Sequence, residues 1–571
     1  MKRWFHRLNP FRALGRAWRR FSNWRRLRSK QPLDYILFTL EGEIEALPES
    51  RSWLERRFLG KAPFSLWDFE TAFRRIADDP RPKGVILFLR DPQLSLADHQ
   101  TMRAYIQRLR DSGKRVIAFT QTCDLGTYLL ASACDQIVLQ PGGDVAVLGF
   151  YQQAVFLKDS LDAIGISLDV IAITPYKGVY DQFSRDSLSP EGREQLERLL
   201  DSRYQIAVNL IAEGRGRTAD EIRAMIDTAP HLDTDALRLG YIDALLYEEG
   251  LPGYLETDGL IDWEEAEHKL IRKPQPQRPD QYVAILPITG LMLPGESGGS
   301  PVPLPIPIPI IGDERAGDMT IVQEVRALMK DEQAAAVVLF IDSGGGAAIA
   351  AEAMASALDE LAKTRPVVAY MNGVAASGGY MVACPAQWIV AQPGTITGSI
   401  GVVMAKPVTG GLESKLLVKT FGFQRGANAD LYDTSKPFSD SQRAQMRASI
   451  EHNYRQFIEM VAKARKLTVE AVDAVGGGRV WTGVQAIELK LIDQLGDLKA
   501  AVAKARELAG LPDEAAAYLF EPHKLDPLPP LAAPVEKLDP AAGLRHTIKN
   551  ARGLLNGRAQ VILPFHVGKR L

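Results

Sequence analysis

The sequence predicts an α/β fold made of two tandem copies of one unit, each with parallel βαβ sheets. The first observation is an internal repeat, in which Gly126–Gly142 matches Gly378–Gly394 at an offset of 252 residues. The same offset aligns Val85–Phe88 with Val337–Phe340. The second observation is that short apolar runs alternate with segments of helical spacing, which is typical of parallel βαβ units. Similarity at one offset indicates duplication of a unit of about 200–250 residues, within the size range of a single domain.

The elements of the second copy show this alternation most clearly. Short apolar runs predict strands at Ala335–Asp342, Val367–Met371 and Trp388–Ala391. Apolar residues at helical spacing, and a run of small residues, predict helices at Ala348–Lys363 and Ala375–Ala383. In the first copy, the strand-sized apolar runs are Tyr35–Leu40 and Leu168–Ile173.

A chain of 571 residues, 46% of them hydrophobic, has room for several domains or a repeated unit and is not a disordered chain. We predict four segments: a basic amphipathic N-terminal segment at 1–33, the first α/β repeat at 34–275, the second at 276–515, and a Pro-rich C-terminal tail at 516–571. Alternating prolines in Gly295–Ile311 predict an exposed polyproline-like spacer, because proline fits neither a helix nor a central strand. Contact of its apolar residues with a membrane or a substrate is the alternative.

The net charge of −2 conceals an asymmetry. Residues 1–30 hold eleven Lys and Arg and no acidic residue, so the remaining chain carries −13 against the +11 of this segment. Phe11, Leu14, Trp18 and Phe21 fall on one helical face between the arginines, which predicts an amphipathic helix in a membrane interface. A flexible cationic tail is the alternative.

Other partners and anchors are not expected from the sequence. No segment downstream of the basic arm reads as a nucleic-acid-binding module, so we expect no nucleic acid as partner. A bilayer-spanning helix needs about 20 mostly apolar residues in a row, and no such run occurs, so we expect neither a spanning helix nor a secretory signal.

The second copy carries a serine between small residues, in Asn372-Gly-Val-Ala-Ala-Ser-Gly-Gly-Tyr380. Small neighbours let the backbone turn sharply, expose the Ser377 hydroxyl at a helix start and direct the Gly378 amide toward a developing oxyanion. Upstream, Ser343-Gly-Gly-Gly346 follows a strand and leaves backbone N–H groups free. Either segment alone would be a tight glycine turn, but two such loops at successive strand ends favour a nucleophile with its oxyanion hole.

The two copies differ at the residues that chemistry would need. In the first copy, Leu125 stands opposite Ser377 and Asp91-Pro-Gln-Leu94 replaces the glycine loop. That copy instead contains Lys177, which aligns with Ala427 of the second copy. A lone lysine is usually a solvated surface charge, but complementary losses predict one site to which both copies contribute. A histidine base stays open as an alternative, although none of the eight histidines lies in a comparable context.

The sequence predicts no cofactor. Its three cysteines form no CxxC pair, and neither an HExxH motif nor a GxxxxGK[ST] phosphate loop is present. The proposed chemistry requires neither a metal nor a nucleotide.

Four motifs together resemble the signal peptide peptidase A family, in the long internally duplicated form also called protease IV. They are Gly373-Val-Ala-Ala-Ser-Gly-Gly-Tyr380, Gly398-Ser-Ile-Gly-Val402, Tyr176-Lys-Gly178 and Gly478-Arg-Val-Trp-Thr-Gly483. The resemblance extends from about residue 34 to about residue 510 and implies a crotonase/Clp-protease-like fold for each repeat. The Ser-Pro-Gly-Gly loop usual in the family reads Ser343-Gly-Gly345 here, so we expect a less rigid loop.

The resemblance also implies the roles of the site residues. Ser377 would be the nucleophile and Lys177 the general base of a Ser–Lys dyad, with oxyanion-hole amides from Gly378 and from Gly345 or Gly346. Ser399 would orient the lysine amine. The family implies a homo-oligomer, a tetramer, that is associated with the bacterial inner membrane and degrades cleaved signal peptides and other apolar peptides.

A lysine acts as a base only when neutral, and its reference pKa is ~10.4. Burial can lower that pKa by several units, so the site is expected in an apolar cleft between the two repeats. A CoA-thioester enzyme of the crotonase-like fold is one rival hypothesis, with acid–base carboxylates expected in place of Ser377 and Lys177. A non-catalytic membrane scaffold that retains the fold is the other.

Overall fold

The computed structural model describes residues 20–28, 33–49, 57, 60, 62–272, 281–299, 314–520 and 560–562. The predicted Pro-rich spacer beyond residue 299, most of the predicted N-terminal interfacial helix and the rest of the C-terminal tail lie outside these residues. Described residues 20–27 are helical.

The strands in chain order are β1 (Tyr35–Glu43), β2 (Gly84–Gln93), β3 (Arg115–Thr120), β4 (Cys123–Asp124), β5 (Gln136–Leu139), β6 (Asp144–Ala146), β7 (Ser167–Ala172), β8 (His231–Leu232), β9 (Ala244–Leu245), β10 (Leu260–Asp262), β11 (Tyr282–Thr289), β12 (Leu291–Leu293), β13 (Gly298–Gly299), β14 (Glu314–Gly317), β15 (Ala334–Ser343), β16 (Gly345–Ala347), β17 (Val367–Ala376), β18 (Trp388–Ala391), β19 (Ile396–Gly398), β20 (Val403–Val408), β21 (Val480–Thr482), β22 (Gln494–Leu495), β23 (Ala517–Leu519) and β24 (Gln560–Ile562).

The α-helices are α1 (Leu66–Asp78), α2 (Leu96–Asp111), α3 (Leu125–Ala131), α4 (Lys158–Ile164), α5 (Asp181–Ser184), α6 (Pro190–Arg215), α7 (Ala219–Asp227), α8 (Asp233–Arg238), α9 (Leu251–Tyr254), α10 (Trp263–Lys269), α11 (Asp318–Lys330), α12 (Ala348–Ala362), α13 (Gly378–Ala383), α14 (Gly410–Lys415), α15 (Asp440–Arg465), α16 (Val469–Val475), α17 (Gly483–Glu488) and α18 (Leu498–Ala509). One 3₁₀ turn covers Glu248–Gly250.

The chain divides into two compact units whose borders cross the repeat borders. Unit 1 contains the described parts of Met1–Phe150 and Arg203–Gln277, and unit 2 contains those of Tyr151–Ser202 and Arg278–Val567. A segment of about fifty residues from the first repeat, Tyr151–Ser202, therefore belongs to the same compact unit as the second repeat.

Unit 1 is built on a six-stranded parallel sheet in the order β10-β1-β2-β3-β5-β9. The central strands β2 and β3 are almost continuously buried, as expected for a sheet covered on both faces. A small sheet in the order β4-β6-β8 completes this unit.

Unit 2 contains two sheets. The larger has eight strands on the path β21-β19-β17-β15-β11-β23, with β18 and β22 branching from β17. β11, β15 and β17 pair in parallel, and their aliphatic side chains, such as Val337, Leu339 and Ala369, form the main core. The second sheet has seven strands in the order β13-β14-β12-β16-β24-β20-β7. The prediction of an α/β fold with parallel sheets is confirmed.

Corresponding elements of the two repeats confirm the duplication. β5 begins at Gln136 and β18 at Trp388, an offset of 252, and each has four residues. α6 and α15 each have 26 residues, and they begin at Pro190 and Asp440, an offset of 250.

One predicted element is wrong at its start. The helix predicted at Ala375–Ala383 begins only at Gly378, because β17 continues through Ala376. Ala375 pairs with Ser343 of β15, and Ala376 pairs with Gly398 of β19, so the sheet extends to the residue before Ser377.

The described end of the basic arm is anchored to unit 1. The Asn23 side-chain amide donates to the Arg272 carbonyl at 2.8 Å, and its oxygen accepts from the Arg272 N–H at 3.0 Å. Phe21 and Trp24 stack on each other and remain about half exposed. Across the part of the chain that the structure describes, we find no helix with both the length and the apolar character needed to span a bilayer.

Candidate active site

Lys177 and Ser377 lie in direct contact although 200 residues separate them in the sequence. The Lys177 Nζ donates a hydrogen bond of 2.8 Å to the Ser377 Oγ. Lys177 is 1% exposed and Ser377 is 0% exposed. Both residues belong to unit 2, because the segment that carries Lys177 lies with the second repeat. The site is therefore formed by residues of both repeats within one compact unit, and the expectation of a cleft between two separate repeats is replaced by this arrangement.

Ser377 is held at a sharp turn from strand to helix. It follows β17 directly and is the N-cap of α13, with φ 56° and ψ −113°, on the left-handed side that non-glycine residues rarely adopt. Its N–H donates to the Gly398 carbonyl at 2.8 Å, and its carbonyl accepts from the Met381 N–H at 2.9 Å. These two backbone bonds fix the strained residue and confirm the predicted turn at a helix start. The predicted exposure of the Ser377 hydroxyl is wrong, because the residue is buried.

The loop that carries Lys177 follows β7. The Lys177 N–H donates to the Thr174 carbonyl at 3.1 Å, which closes a tight turn. The Thr174 hydroxyl donates to the Gly477 carbonyl. Next to it, Gly478 adopts φ +96°, and a Cβ there would lie 2.7 Å from the Lys177 Cβ. Only glycine both adopts this positive φ without strain and leaves room for the Lys177 Cβ. The loop therefore packs closely against the lysine backbone and fixes its position.

Ser399 joins the lysine from a third segment. Its hydroxyl and its carbonyl each accept a hydrogen bond of 2.8 Å from the Lys177 Nζ. The Ser399 N–H donates to the Arg479 carbonyl at 2.6 Å, and its φ of 50° is again on the left-handed side. One loop, Gly476–Arg479, thus supports both the lysine and the serine that contacts it.

The electrostatics of the pair follow from burial. The three oxygens within hydrogen-bond distance of the Lys177 Nζ are uncharged, and two of them are hydroxyls. A neutral amine has two N–H groups and one lone pair, so in that form one of the hydroxyls donates to the Nζ. Burial disfavours the ammonium form and lowers the pKa of Lys177 well below its ordinary value. Burial therefore shifts the amine toward the neutral form, which is the form that can accept a proton.

The glycine loop is folded against the serine turn. The Ser343 hydroxyl donates to the Gly290 carbonyl at 2.6 Å and accepts from the Gly345 N–H at 3.2 Å. The Gly345 Cα lies 3.1 Å from the position that a Cβ on Gly378 would occupy. The glycine loop that contains Gly345 and Gly346 thus packs against the segment that contains Ser377 and Gly378.

The counterpart site in the first repeat carries structural residues. Leu125 begins α3 and is buried. The histidine nearest this position is His99, whose Nε2 contacts the Gly126 carbonyl at 3.1 Å and whose Nδ1 contacts the Ser95 carbonyl at 2.9 Å. Burial lowers the pKa of His99 to about 4. His99 thus anchors backbone in unit 1.

Sequence reasoning missed the residues that support the lysine loop. The Tyr176 hydroxyl donates to the Glu194 carboxylate at 2.8 Å, and the Arg479 guanidinium lies 4.0 Å from the centre of the Tyr176 ring. Tyr176 and Arg479 both lie in motifs that carry the family resemblance, and this was the available signal. Within the described residues, no group of three or more His, Cys, Asp or Glu is arranged to hold a metal ion.

Comparison with known proteins identifies the family. The chain matches Peptidase family S49 over residues 108–254 and again over 359–512, one match in each repeat. It is 33% identical over 463 residues to "Protease 4" of Salmonella typhi, which covers 78% of this chain and 72% of the relative. It is 30% identical over 493 residues to "Serine protease SPPA, chloroplastic" of Arabidopsis thaliana, which covers 86% of this chain and 71% of that protein.

A further relative, "Protease 4" of Haemophilus influenzae, is 28% identical over 482 residues, which covers 80% of this chain and 75% of the relative. These matches confirm the predicted family resemblance and favour a peptidase over the CoA-thioester enzyme and the non-catalytic scaffold. The chain belongs to peptidase family S49 and is a serine peptidase.

Proposed function

We propose that the chain is a membrane-associated endopeptidase that degrades cleaved signal peptides and other apolar peptides with a Ser377–Lys177 dyad. The observation that carries the catalytic part is the 2.8 Å contact between the Lys177 Nζ and the Ser377 Oγ, made by a lysine that is 1% exposed. A nucleophile within hydrogen-bond distance of a base whose pKa is lowered by burial is the arrangement that acyl transfer requires.

The reaction would proceed in two steps. The Ser377 Oγ attacks the scissile carbonyl carbon while the neutral Lys177 amine takes its proton, and the amide C–N bond breaks as the lysine gives that proton to the leaving amine. A water molecule then attacks the acyl-enzyme ester, with Lys177 again as base, and releases the acid product and the Ser377 hydroxyl.

The developing oxyanion needs preorganised donors. We assign the Gly378 amide, which directly follows the nucleophile, and the Gly346 amide of the glycine loop. The neighbouring Gly345 N–H already donates to the Ser343 hydroxyl, so we assign Gly346, which in this structure pairs with Val561 of β24. Ser399 would hold the lysine amine toward Ser377 through its two contacts of 2.8 Å.

Substitution of the two dyad residues tests this function. Removal of a nucleophile or base of such a unit costs about 10³-fold or more in kcat, so we expect Ser377→Ala and Lys177→Met each to abolish cleavage of an apolar reporter peptide. Lys114→Met is the matched control, since Lys114 is also a buried lysine but belongs to unit 1, where its Nζ donates to the Asp79 and Pro82 carbonyls. Retained cleavage in either dyad variant, with thermal melting as the check of folding, would refute the dyad.

The same preparation tests the membrane part of the proposal. Its support is the +11 charge of residues 1–30 together with the exposed rings of Phe21 and Trp24. Deletion of residues 1–28 should release the protein from anionic vesicles in a flotation assay. Unchanged binding of the deleted protein would count against an interfacial arm.

We further propose that copies of the chain assemble head to tail. In unit 2, β7 and β20 form an antiparallel pair, from Val403 opposite Ala172 to Val408 opposite Ser167. At the repeat offset of 252, the counterpart of β20 is 151–156 and the counterpart of β7 is 419–424. Within the described chain neither segment is paired in a sheet.

The two counterpart segments carry exposed apolar residues. Tyr151 is 85% exposed and Phe423 is 94% exposed. The offset of 252 also holds next to these segments. Gly165 and Leu417, which are 252 residues apart, both have positive φ, 86° and 57°. Residues 151–156 of one copy would pair with 419–424 of the next in the register of β20 and β7. Since the two patches differ, the contact is heterologous, and repetition closes a ring if the rotation permits.

A further inference from the structure

The seven-stranded sheet of unit 2 contains a strand from the far end of the chain. β24, Gln560–Ile562, lies between β16 and β20 in the strand order. Gly345, Gly346 and Ala347 pair antiparallel with Ile562, Val561 and Gln560, respectively. Val403 of β20 pairs with Gln560 from the other side. Without β24, the edges of β16 and β20 would form an open slot one strand wide.

This slot adjoins the dyad on both sides. β16 is the strand formed by the glycine loop, and Gly345 approaches Gly378, the residue after the nucleophile. β20 begins four residues after Ser399, which contacts the lysine amine. In the observed register, β24 runs from Gln560 opposite Ala347 to Ile562 opposite Gly345, and so toward the segment of Ser377.

A slot of this kind binds extended peptides of many sequences. Unpaired N–H and C=O groups of a strand edge supply the hydrogen bonds, and pockets for alternate side chains supply the preference. Each of the two bordering strands contributes a residue, Ala347 of β16 and Val403 of β20, to one buried apolar cluster. The strand that occupies the slot has the apolar sequence Val561-Ile562.

We propose that β24 of the same chain is a built-in competitor of the substrate, because it occupies the slot between β16 and β20 beside the dyad. The inference rests on the proposed function, because a peptide in this slot is a substrate only if the adjacent dyad is catalytic. A substrate would enter as an extended apolar peptide, antiparallel to β16, once β24 has left.

Tethering makes such a competitor effective. A segment of the same chain acts at an effective concentration on the order of millimolar. A free peptide of similar affinity but much lower concentration is therefore excluded from the slot. Activity would then be low for dilute peptides and would rise when β24 is displaced.

A binding measurement tests the slot without any turnover. The probe is a fluorescein-labelled synthetic peptide with the sequence of residues 556–566, added to Ser377→Ala protein and followed by fluorescence anisotropy. We expect this peptide to bind at least about tenfold more tightly when residues 557–571 are deleted, because the tethered competitor is then removed. Equal affinity for the two proteins would overturn the proposal.

Kinetics of the intact chain provide the second measurement. Val561→Pro removes a backbone N–H from the middle of β24, which should weaken its pairing. For Val561→Pro we expect a KM for an apolar reporter peptide that is several-fold lower than that of the wild type, with kcat unchanged. Deletion of residues 567–571 is the control, because it retains β24 and should leave KM as in the wild type. An unchanged KM for Val561→Pro would contradict the inference.

The two proposals fail in different ways. If the wild-type protein cleaves no peptide but the labelled peptide still binds more tightly to the truncated Ser377→Ala protein, the dyad is refuted and the slot stands. If cleavage depends on Ser377 and Lys177 while both β24 variants behave as the wild type, the slot occupied by β24 is refuted and the dyad stands.

Discussion

Burial sets the chemistry of Lys177. The amine contacts three uncharged oxygens, and burial is the cause that lowers its pKa. An acidic partner would have the opposite effect, since an adjacent carboxylate favours the ammonium form. Burial therefore shifts the amine toward the neutral form, which the proposed dyad requires.

The pH dependence of activity follows from this lowered pKa. Lys177 is active only when neutral, so kcat/KM should rise with pH through the pKa of Lys177 and reach its plateau well below the ordinary lysine value of 10.5. Lys177→Arg should be inactive at every pH, because a guanidinium does not deprotonate in this range. A pH–rate profile for an apolar reporter peptide measures both, and activity that falls as the pH rises from about 6 to about 8 would contradict the assignment.

Stability should change with pH in the same direction. The unfolded chain has the ordinary lysine pKa and the folded chain a lower one, so between these values the unfolded state binds one more proton. The free energy of unfolding should therefore rise with pH in this window, by about 1.4 kcal/mol for each unit by which the pKa is lowered. Lys177→Met should lack this contribution in urea unfolding measured across the same pH range.

The sequence singled out the two residues of the proposed dyad but not the residues that support them. Ser377 and Lys177 were identifiable because each occurs in one repeat and is absent from the other. The contact of the Thr174 hydroxyl with the Gly477 carbonyl joins segments 303 residues apart. A hydroxyl that bonds to a distant backbone carbonyl leaves no periodic or compositional signal, so only the folded chain reveals it.

At the level of elements, the end of β17 decides where the nucleophile lies. Alanine favours helices, which is why Ala375 and Ala376 were predicted as helical. Pairing with β15 and β19 overrides this propensity and keeps both residues in the sheet. The strand then ends at Ala376, and the strained Ser377 makes the turn into α13. Local propensity identified the motif, and the neighbouring strands determined its conformation.

The loop Gly476–Arg479 gives an element-level prediction. Gly478→Ala would bring its Cβ to 2.7 Å from the Lys177 Cβ, so we expect a loss of kcat together with a loss of stability of about 2 kcal/mol or more. Gly510→Ala is the matched control, since Gly510 also has positive φ, +62°, but nothing within 4 Å of its Cβ position. The control should lose about 1–2 kcal/mol from backbone strain alone and retain wild-type kcat. Wild-type kcat in Gly478→Ala would show that this loop does not position the lysine.

For the whole molecule, the repeat was predictable from the sequence. The membership of one segment of the first repeat in the compact unit of the second repeat was not predictable. The offset of 252 residues gave the two α/β copies, and their element lengths agree. The membership of Tyr151–Ser202 in unit 2 depends on strand pairing, such as that of β7 with β20. Pairing between strands more than 200 residues apart is set by the folded chain and not by local pattern.

Assembly gives a whole-molecule prediction. Phe423→Asp should break the proposed contact between 419–424 of one copy and 151–156 of the next, because it would bury an unpaired charge. Leu232→Asp is the control, since Leu232 is 67% exposed and lies in unit 1. Sedimentation velocity should show a smaller particle for Phe423→Asp and the wild-type particle for Leu232→Asp. An unchanged particle for Phe423→Asp would refute the head-to-tail contact.

The placement of Lys177 beside the second repeat has a consequence for how the activity depends on the two copies. Under the proposed dyad, the first copy lacks a nucleophile and the second lacks a base, so neither would hydrolyse a peptide by itself. A single-copy peptidase with this dyad would need both residues in one sequence. Under the proposed dyad, loss of either copy would therefore abolish the activity, and the chain depends on both copies.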